Sequence, residues 1–241
     1  MTKLEYLELI KNNSELAYNT ELDENNWEEY FNIDVYKGNN IEYDIGATKV
    51  VFFERNSDFV IKVPFCGTEG NNYYTRTLED NCYTYRWDGE RTIHQNYSEW
   101  EFIPFSGANC ENGWDYCAAE VNAYEKAKKA GIEYLFAKTE FLGDVCGYPI
   151  YSQEKATMYD FYTSTSERTK ESLDMANEKI AGRCPFRSIT WIADFISYYN
   201  EALFDELCNF LVENNINDMH SGNIGYIGDV PVLVDYAGYH S

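Results

Sequence analysis

The sequence predicts an α+β protein in which a β-rich half precedes a helical half, with the change near residue 156. Two runs of β-branched and aromatic residues, 50–53 and 59–63, flank a polar turn and predict a hairpin. After residue 156 the apolar residues recur at helical spacing, with one long stripe over 190–215. The predicted divisions are a helical N-terminal extension at 1–40, a β-rich region at 41–156 with an insertion at 66–114, and a helical region at 157–241.

The composition indicates a folded, soluble and strongly acidic protein. Of 241 residues, 44% are hydrophobic and 17% aromatic, which is enough apolar surface to build a core. Acidic side chains number 41 and basic ones 19, so the formal net charge is −22 at pH 7. Direct binding to nucleic acid is disfavoured, because such proteins need a basic surface that releases counterions from phosphates. The charge serves solubility or favours a basic partner.

The cysteines and the first residues predict a cytoplasmic protein. The seven cysteines are odd in number and include no C-x-x-C pair, so neither a disulfide framework nor a zinc site is indicated. The start of the sequence is charged and lacks the apolar segment of a secretion signal. No stretch reaches membrane-spanning length, and we expect no membrane association.

The β-rich half is preceded by one predicted helix and contains another. Apolar residues alternate with charges over 3–19 and predict a short amphipathic helix. The insertion at 66–114 is rich in Gly, Asn, Tyr and Trp, which favours short strands with long loops. A second helix is predicted from Asp115, an N-cap, to Ala130, with Gly131 as its C-terminal stop.

The remaining elements lead towards the end of the chain. Strands are predicted over 135–142 and 148–153, separated by a glycine-containing turn. A charged and periodic segment predicts a helix over 166–181, and the apolar stripe predicts helical structure over 190–215.

The final segment carries the residues with recognisable chemistry. The dipeptide Gly-Asp between two apolar runs predicts a tight turn and a hairpin over 224–234. Asn223 precedes its first strand and Asp235 follows its second, so the two residues meet at the open end of the antiparallel pair. An amide oxygen and a carboxylate there suit Mg²⁺, with waters and substrate phosphates completing the octahedron. Asp218, on the loop leaving the preceding helix, can point to the same place.

The pattern Asp218-x-His220-x-x-Asn223, followed by Asp235, resembles the catalytic loop and metal-binding aspartate of the protein-kinase-like superfamily. Its motif style is similar to that of aminoglycoside phosphotransferase-like proteins and small bacterial or phage kinase-like proteins. The resemblance implies a two-lobed kinase-like fold with a β-rich N-lobe and a shortened helical C-lobe, which binds ATP with Mg²⁺. It makes Asp218 the catalytic residue, gives the metal to Asn223 and Asp235, and gives His220 the ordering of the loop.

The same resemblance implies a lysine in an apolar strand that follows a glycine-containing hairpin. Gly46 precedes the first strand, Thr48 can contact phosphate, and Lys62 lies within the second strand. A lysine in such a run is otherwise an edge-strand residue that prevents aggregation. The family pairs this lysine with a helical glutamate, for which Glu120 and Glu125 are available. We select Glu120, because it shares an apolar helix face on which a carboxylate needs a partner.

Residues 151–156 fall where the resemblance places the hinge between the lobes. It implies that Gln153 borders the adenine pocket and that the backbone of Glu154 and Ala156 contacts adenine. Without the resemblance, this segment is a strand that leaves a sheet.

Some features depart from the family pattern. The glycine-rich loop is reduced to one glycine, and the Asp-Phe-Gly motif becomes Asp-Tyr-Ala-Gly at 235–238, which keeps the carboxylate and moves the glycine by one. The sequence ends shortly after this motif, so we expect a platform for the acceptor from 66–114, from 157–190 or from another chain.

The expected function is that of an ATP-dependent phosphotransferase that uses Mg-ATP on an unknown acceptor, either a protein or a small molecule. The alternative is a non-catalytic protein, either a pseudokinase or an acidic binding or inhibitor protein that acts on a basic partner.

Overall fold

The described part of the chain has mixed α+β structure, as the sequence predicts. The computed structural model describes residues 1–12, 41–45, 49–64, 67–68, 74–78, 81–85, 99–102, 113–145, 148–159, 169–182 and 184–238. The helices are α1 (Lys3–Asn12), α2 (Tyr116–Ala130), α3 (Lys170–Ala181), α4 (Ile189–Tyr198) and α5 (Glu201–Glu213). The strands are β1 (Ile41–Ile45), β2 (Lys49–Glu54), β3 (Phe59–Pro64), β4 (Gly67–Thr68), β5 (Tyr74–Leu78), β6 (Asn81–Tyr85), β7 (Glu99–Phe102), β8 (Gly113–Trp114), β9 (Thr139–Val145), β10 (Tyr148–Glu154), β11 (Thr157–Met158), β12 (Ile224–Ile227) and β13 (Val230–Leu233). Within these ranges, no helix combines the length and the apolar character needed to cross a membrane.

The chain divides into two compact units. The first contains Met1–Ala118 and Glu140–Gln153, together with His240–Ser241, and the second contains Ala119–Thr139 and Glu154–Tyr239. The predicted division into three parts, with boundaries after 40 and after 156, stays a prediction.

The first unit is built on a five-stranded sheet with the strand order β1-β2-β3-β10-β9. Strands β2 and β3 pair antiparallel with Val51 opposite Lys62, which confirms the predicted hairpin. Helix α1 contributes the buried Tyr6, whose ring meets Phe59 edge-on at 6.1 Å. In the described parts of the 66–114 insertion, β5 pairs with β6 and β7, and β4 pairs with β8, so the expected β-rich character is confirmed there.

The ends of α2 confirm the predicted start and stop signals. An Oδ1 atom of Asp115 accepts a hydrogen bond from the Ala118 amide at 2.8 Å, which satisfies one of the free donors of the first turn. Gly131 follows the helix with φ of 78°, the left-handed conformation that ends many helices.

The prediction of a strand beginning at 135 is wrong for its first residues. Glu133–Leu135 form a 3-10 turn, and β9 begins only at Thr139. Leu135 and Phe136 are buried in the core of the second unit, and the Ala137 amide donates to the Leu233 carbonyl at 2.8 Å. A short apolar run does not reveal its distant partner, and here that partner is β13 rather than a neighbouring strand.

The helices of the second unit differ from the prediction at one boundary, within the segment 190–215. The stripe over 190–215 forms two helices, because the Asn200 side chain accepts from the Leu203 amide at 2.8 Å and starts α5 afresh. The predicted helix over 166–181 is described from Lys170, after the N-cap Thr169. The core contains buried aromatic and aliphatic side chains from these helices and the adjoining loops, among them Phe186, Trp191, Phe195, Phe204 and Leu207.

A three-stranded sheet, in the order β11-β12-β13, completes the second unit. Strands β12 and β13 pair antiparallel with Ile224 opposite Leu233, which confirms the predicted hairpin. Met158 in β11 lies opposite Gly225 in β12.

Substitution of Gly225 by alanine is expected to destabilise the chain by about 3 kcal/mol, because a core of this kind cannot absorb the added atom. A Cβ at this position would lie 2.5 Å from the main-chain oxygen of Thr157. The control is Gly228→Ala in the β12–β13 turn, where φ is 60° and nothing lies within 4 Å. That variant should lose only about 1 kcal/mol, the cost of the left-handed conformation. Chemical denaturation compares the two, and equal losses would contradict the close approach to β11.

Candidate functional site

The predicted catalytic loop begins where α5 ends. The apolar face of α5 is buried in the second unit, and Leu211 is fully buried. The Asn214 side chain closes the helix by donating from Nδ2 to the Phe210 carbonyl at 2.8 Å. Asn215 then adopts φ of 56°, a left-handed conformation that asparagine tolerates better than most residues. The chain therefore turns sharply out of the helix before it reaches the candidate residues.

Gly238, at the end of the 235–238 segment, lies against this turn. A Cβ at Gly238 would be 2.7 Å from the main-chain oxygen of Asn215, and φ at Gly238 is 75°. Only glycine meets both conditions without displacement of the backbone. The position of this glycine, one residue later than in the Asp-Phe-Gly pattern, therefore has a packing reason in this chain.

Asp218 and Asn223 are joined by hydrogen bonds across the loop. The Asn223 Nδ2 donates to the Asp218 main-chain oxygen at 2.5 Å and lies 3.4 Å from its carboxylate Oδ2. Asn223 is 8% exposed and the Asp218 side chain 17% exposed. Because the amide nitrogen of Asn223 faces Asp218, its amide oxygen faces away and can act as an acceptor or ligand.

Asp235 lies beside Asn223 at the open end of the β12–β13 hairpin. Beyond the Ile224–Leu233 pair, the Val234 amide donates to the Asn223 carbonyl at 2.9 Å, and the Asp235 amide does so at 3.4 Å. The antiparallel ladder therefore brings these two backbone positions together, as expected from the sequence. Their role as metal ligands stays a prediction.

The donor set at this end of the hairpin suits a hard cation. Asn223 offers an amide oxygen, and the half-buried Asp235 offers a carboxylate. Mg²⁺ is commonly held by one or two such groups, with waters and substrate phosphates completing its shell. Across the described ranges, no group of three or more His, Cys, Asp or Glu side chains is gathered into a metal site.

His220 orders the loop between these residues, as predicted. Its Nδ1 accepts from the Gly222 amide at 2.9 Å and so caps the 3-10 turn Ser221–Asn223. Its Nε2 lies 3.5 Å from the Asp218 carboxylate. The histidine thus limits the orientations available to the candidate catalytic aspartate.

Met219 fixes the loop to the 184–187 segment, a role that was not predicted from the sequence. It is fully buried and forms a parallel bridge with Phe186. Its main-chain oxygen accepts from the Arg187 amide at 3.1 Å. Met219 stands between Asp218 and His220, so the 184–187 segment helps to fix both polar residues in place.

A buried polar network supports the chain next to Asp235. Thr139 Oγ1 lies 2.8 Å from Tyr236 Oη and 3.4 Å from Glu120 Oε2. Tyr236 Oη donates to the Ala137 carbonyl at 2.7 Å. All three side chains of the network are at most 2% exposed. The signal in the sequence was the tyrosine at position 236, because a buried phenol needs a polar partner.

A second buried carboxylate, Asp194, fixes the hairpin to α4. Tyr226 of β12 donates from Oη to Asp194 Oδ2 at 2.7 Å, and Asp194 is 3% exposed. The sequence reasoning missed this contact as well. The signal was a carboxylate in the middle of an apolar helix, where an unpaired charge is costly.

The candidate lysine lies in the first unit, where its position tests the edge-strand interpretation. Lys62 is 3% exposed, and β3 lies between β2 and β10, so the edge-strand alternative is wrong. In the second unit Glu120 is fully buried and Glu125 exposed, which agrees with the choice of Glu120. The pairing of Lys62 with Glu120 stays a prediction, since the residues belong to different units. Gly46 and Thr48 lie outside the described residues, and their phosphate contacts also stay predictions.

In the predicted hinge, strand β10 ends at Glu154, which exchanges two hydrogen bonds with Lys138. The Glu154 amide donates to the Lys138 carbonyl at 3.0 Å, while the Lys138 amide donates to the Glu154 carboxylate at 2.9 Å. A side-chain oxygen thus stands where a strand partner would ordinarily offer its carbonyl. Gln153 is fully buried and Ala156 half-buried. The adenine contacts expected of these residues stay predictions.

No protein-family model matches this sequence, and neither a curated protein nor a solved structure is significantly similar to it. The residues and contacts of the chain itself are therefore the basis for a functional assignment.

Proposed function

We propose that this chain is an ATP-dependent phosphotransferase of kinase-like fold that binds ATP with Mg²⁺ and transfers the terminal phosphate to an acceptor hydroxyl. The observation that carries the proposal is the grouping of Asp218, Asn223 and Asp235 at one end of a hairpin. The Asn223 side chain is hydrogen-bonded to Asp218, and the Asn223 carbonyl accepts from the Asp235 amide. An amide oxygen, a metal-binding carboxylate and a second carboxylate are the groups that this reaction requires.

The residues divide the chemical work in a way that their positions support. Mg²⁺ supplies positive charge that offsets the charge developing on the phosphates. Asn223 and Asp235 would hold this ion through the amide oxygen and the carboxylate. Asp218 would orient the acceptor hydroxyl and take its proton at a carboxylate oxygen. His220, 3.5 Å from that carboxylate, would keep it correctly turned.

The burial of Lys62 in the first unit is consistent with nucleotide binding. A buried ammonium on a central strand is costly unless specific contacts compensate it. Lys62 has this position, with 3% exposure. We assign it to the phosphate oxygens, as the resemblance implies.

Calorimetry with ATP tests the proposal directly. The chain should bind ATP at least about tenfold more tightly with Mg²⁺ than with a chelator, a difference of about 1.4 kcal/mol. Adenosine is the control ligand, because without phosphates its affinity should not depend on Mg²⁺. Equal ATP affinities with and without the ion would contradict the metal site, and no binding at all would contradict the proposal as a whole.

The net charge of −22 favours a second candidate, a non-catalytic protein that occupies the basic surface of a partner. The two functions differ in a measurable way. Incubation with γ-labelled ATP and a cell lysate should yield a labelled acceptor if the chain is a phosphotransferase. Salt-sensitive capture of a basic protein without any label transfer would favour the second candidate.

A further inference from the structure

Two lysines share one face of the five-stranded sheet in the first unit. Val51 of β2 lies opposite Lys62 of β3. Two residues before Val51, Lys49 lies opposite Pro64 in the same antiparallel ladder. Residues directly opposite each other in such a ladder project from the same face, and so do residues two apart on one strand. Lys49 and Lys62 are therefore diagonal neighbours on one face, with their Cβ atoms about 7 Å apart.

The other face of this hairpin is apolar. It presents four side chains that are at most 7% exposed, namely Phe52, Phe59, Ile61 and Val63. The Phe59 ring meets the Tyr6 ring of α1 on that side. The two lysines therefore project from the face opposite to the one that α1 contacts.

The burial of the two lysines strengthens their electrostatic effect on a ligand. Both are 3% exposed, so water screens their positive charges little. Two like charges this close repel each other, and an anion that contacts both ammonium groups offsets that repulsion. A chain of phosphates carries negative charge on successive groups. One polyphosphate can therefore contact two lysines that are diagonal neighbours.

We propose that Lys49 is a second phosphate-binding residue, and that one triphosphate lies across Lys49 and Lys62. The inference rests on the proposed function for the identity of the ligand, to which it adds a residue. Lys49 directly follows residues 46–48, the loop that is reduced to a single glycine. Glycine-rich loops bind phosphates through main-chain amides. A lysine at the end of a loop with fewer glycines supplies positive charge in place of such contacts.

Calorimetry on the full chain, with Lys49→Met and the wild type, tests this assignment. The ligands are ATP with Mg²⁺, inorganic tripolyphosphate and adenosine. The affinity for ATP and for tripolyphosphate should fall about tenfold in the variant, because a hydrogen bond to a charged group is lost. The affinity for adenosine should stay the same, because adenosine carries no phosphate. An unchanged affinity for ATP in Lys49→Met would overturn the proposal.

The same hairpin provides the matched control. Arg55 lies in the turn between β2 and β3, at the opposite end from Lys49, and its side chain is 83% exposed. Arg55→Met removes one positive charge from the same element and should bind ATP as the wild type does. Equal losses in Arg55→Met and Lys49→Met would show a general effect of net charge and would also overturn the proposal.

A second measurement uses the wild-type chain and therefore decides the matter even if Lys49→Met does not fold. An ATP derivative with an acyl group on its terminal phosphate transfers that group to a lysine amine beside the phosphates, and ATP leaves. Trypsin does not cleave after an acylated lysine, so reaction at Lys49 yields peptide 38–55 and reaction at Lys62 yields peptide 56–76. Both peptides should carry the label, and excess ATP should prevent it. Labelling of 56–76 alone would contradict a role for Lys49.

The results separate this inference from the proposed function. If the wild type and Lys49→Met bind ATP equally well, the proposed function stands and the role of Lys49 fails. If the wild type binds tripolyphosphate but not ATP, and Lys49→Met loses that binding, the two-lysine site stands and the proposed function fails. If the wild type binds neither ligand, both are contradicted.

Discussion

Replacement of Asp235 by alanine is expected to abolish the gain in ATP affinity that Mg²⁺ gives the wild-type chain. The substitution removes the only carboxylate among the two proposed ligands, which leaves a neutral amide oxygen that cannot hold the ion alone. The main-chain amide of Asp235, which donates to the Asn223 carbonyl at 3.4 Å, is unaffected. Calorimetry should therefore give the same affinity for ATP with Mg²⁺ and with a chelator, against a difference of at least about tenfold in the wild type.

The same hairpin provides the matched control. Asp229 lies in the exposed turn at the opposite end, so Asp229→Ala removes the same charge from the same element. This variant should keep the full dependence on Mg²⁺. A loss of the dependence in both variants would indicate a general effect of net charge, and its retention in Asp235→Ala would contradict the assigned ligand.

The parts of the fold that the sequence predicts are those determined by neighbouring residues. The β12–β13 hairpin depends on a turn at Gly228, where φ is 60°, and on two flanking apolar runs. The limits of α2 depend on Asp115 and Gly131, both adjacent to the helix. The signal for the break between α4 and α5, the N-cap residue Asn200, is also adjacent to the helix. It was missed because the apolar stripe continues across the break.

The parts that escaped prediction depend on distant pairing. The Leu135–Ala137 region has the composition of a strand. The Ala137 amide instead donates to the Leu233 carbonyl, and Leu135 and Phe136 pack in the core of the second unit. Likewise, the contact between Thr139 and Tyr236 joins residues 97 positions apart. Periodicity and capping carry no information on such contacts, which are decided by the packing of the whole unit.

The candidate site shows the same division between local and distant determinants. Asp218, Asn223 and Asp235 lie on one continuous stretch, so a predicted turn was enough to bring their backbones together. The supports of that stretch, Met219 on Phe186 and Tyr226 on Asp194, come from elsewhere in the chain. A motif can therefore be recognised from the sequence, whereas the contacts that hold it rigid require the structure.

Replacement of Asp218 by asparagine should reduce phosphate transfer by a factor of about 10² to 10⁴, the usual contribution of a positioned general base. The affinity for Mg-ATP should remain within about twofold, because Asp218 is assigned to the acceptor rather than to the metal. The loop should also survive, since Asn223 donates to the main-chain oxygen of Asp218 at 2.5 Å, and the substitution leaves that atom in place. Transfer from γ-labelled ATP, measured in single turnover at saturating nucleotide, gives the rate.

Asn217→Ala is the control for this experiment, because Asn217 is exposed and directly precedes Asp218 in the loop. It should transfer phosphate at the wild-type rate. An undiminished rate in Asp218→Asn would show that another group takes the proton, and a matching loss in both variants would show that the loop had merely been disturbed. If the wild-type chain binds Mg-ATP but labels no acceptor, the same residues serve a nucleotide-binding protein without transfer. In that case Asp218→Asn should alter neither the affinity for the nucleotide nor the salt-sensitive capture of a basic partner.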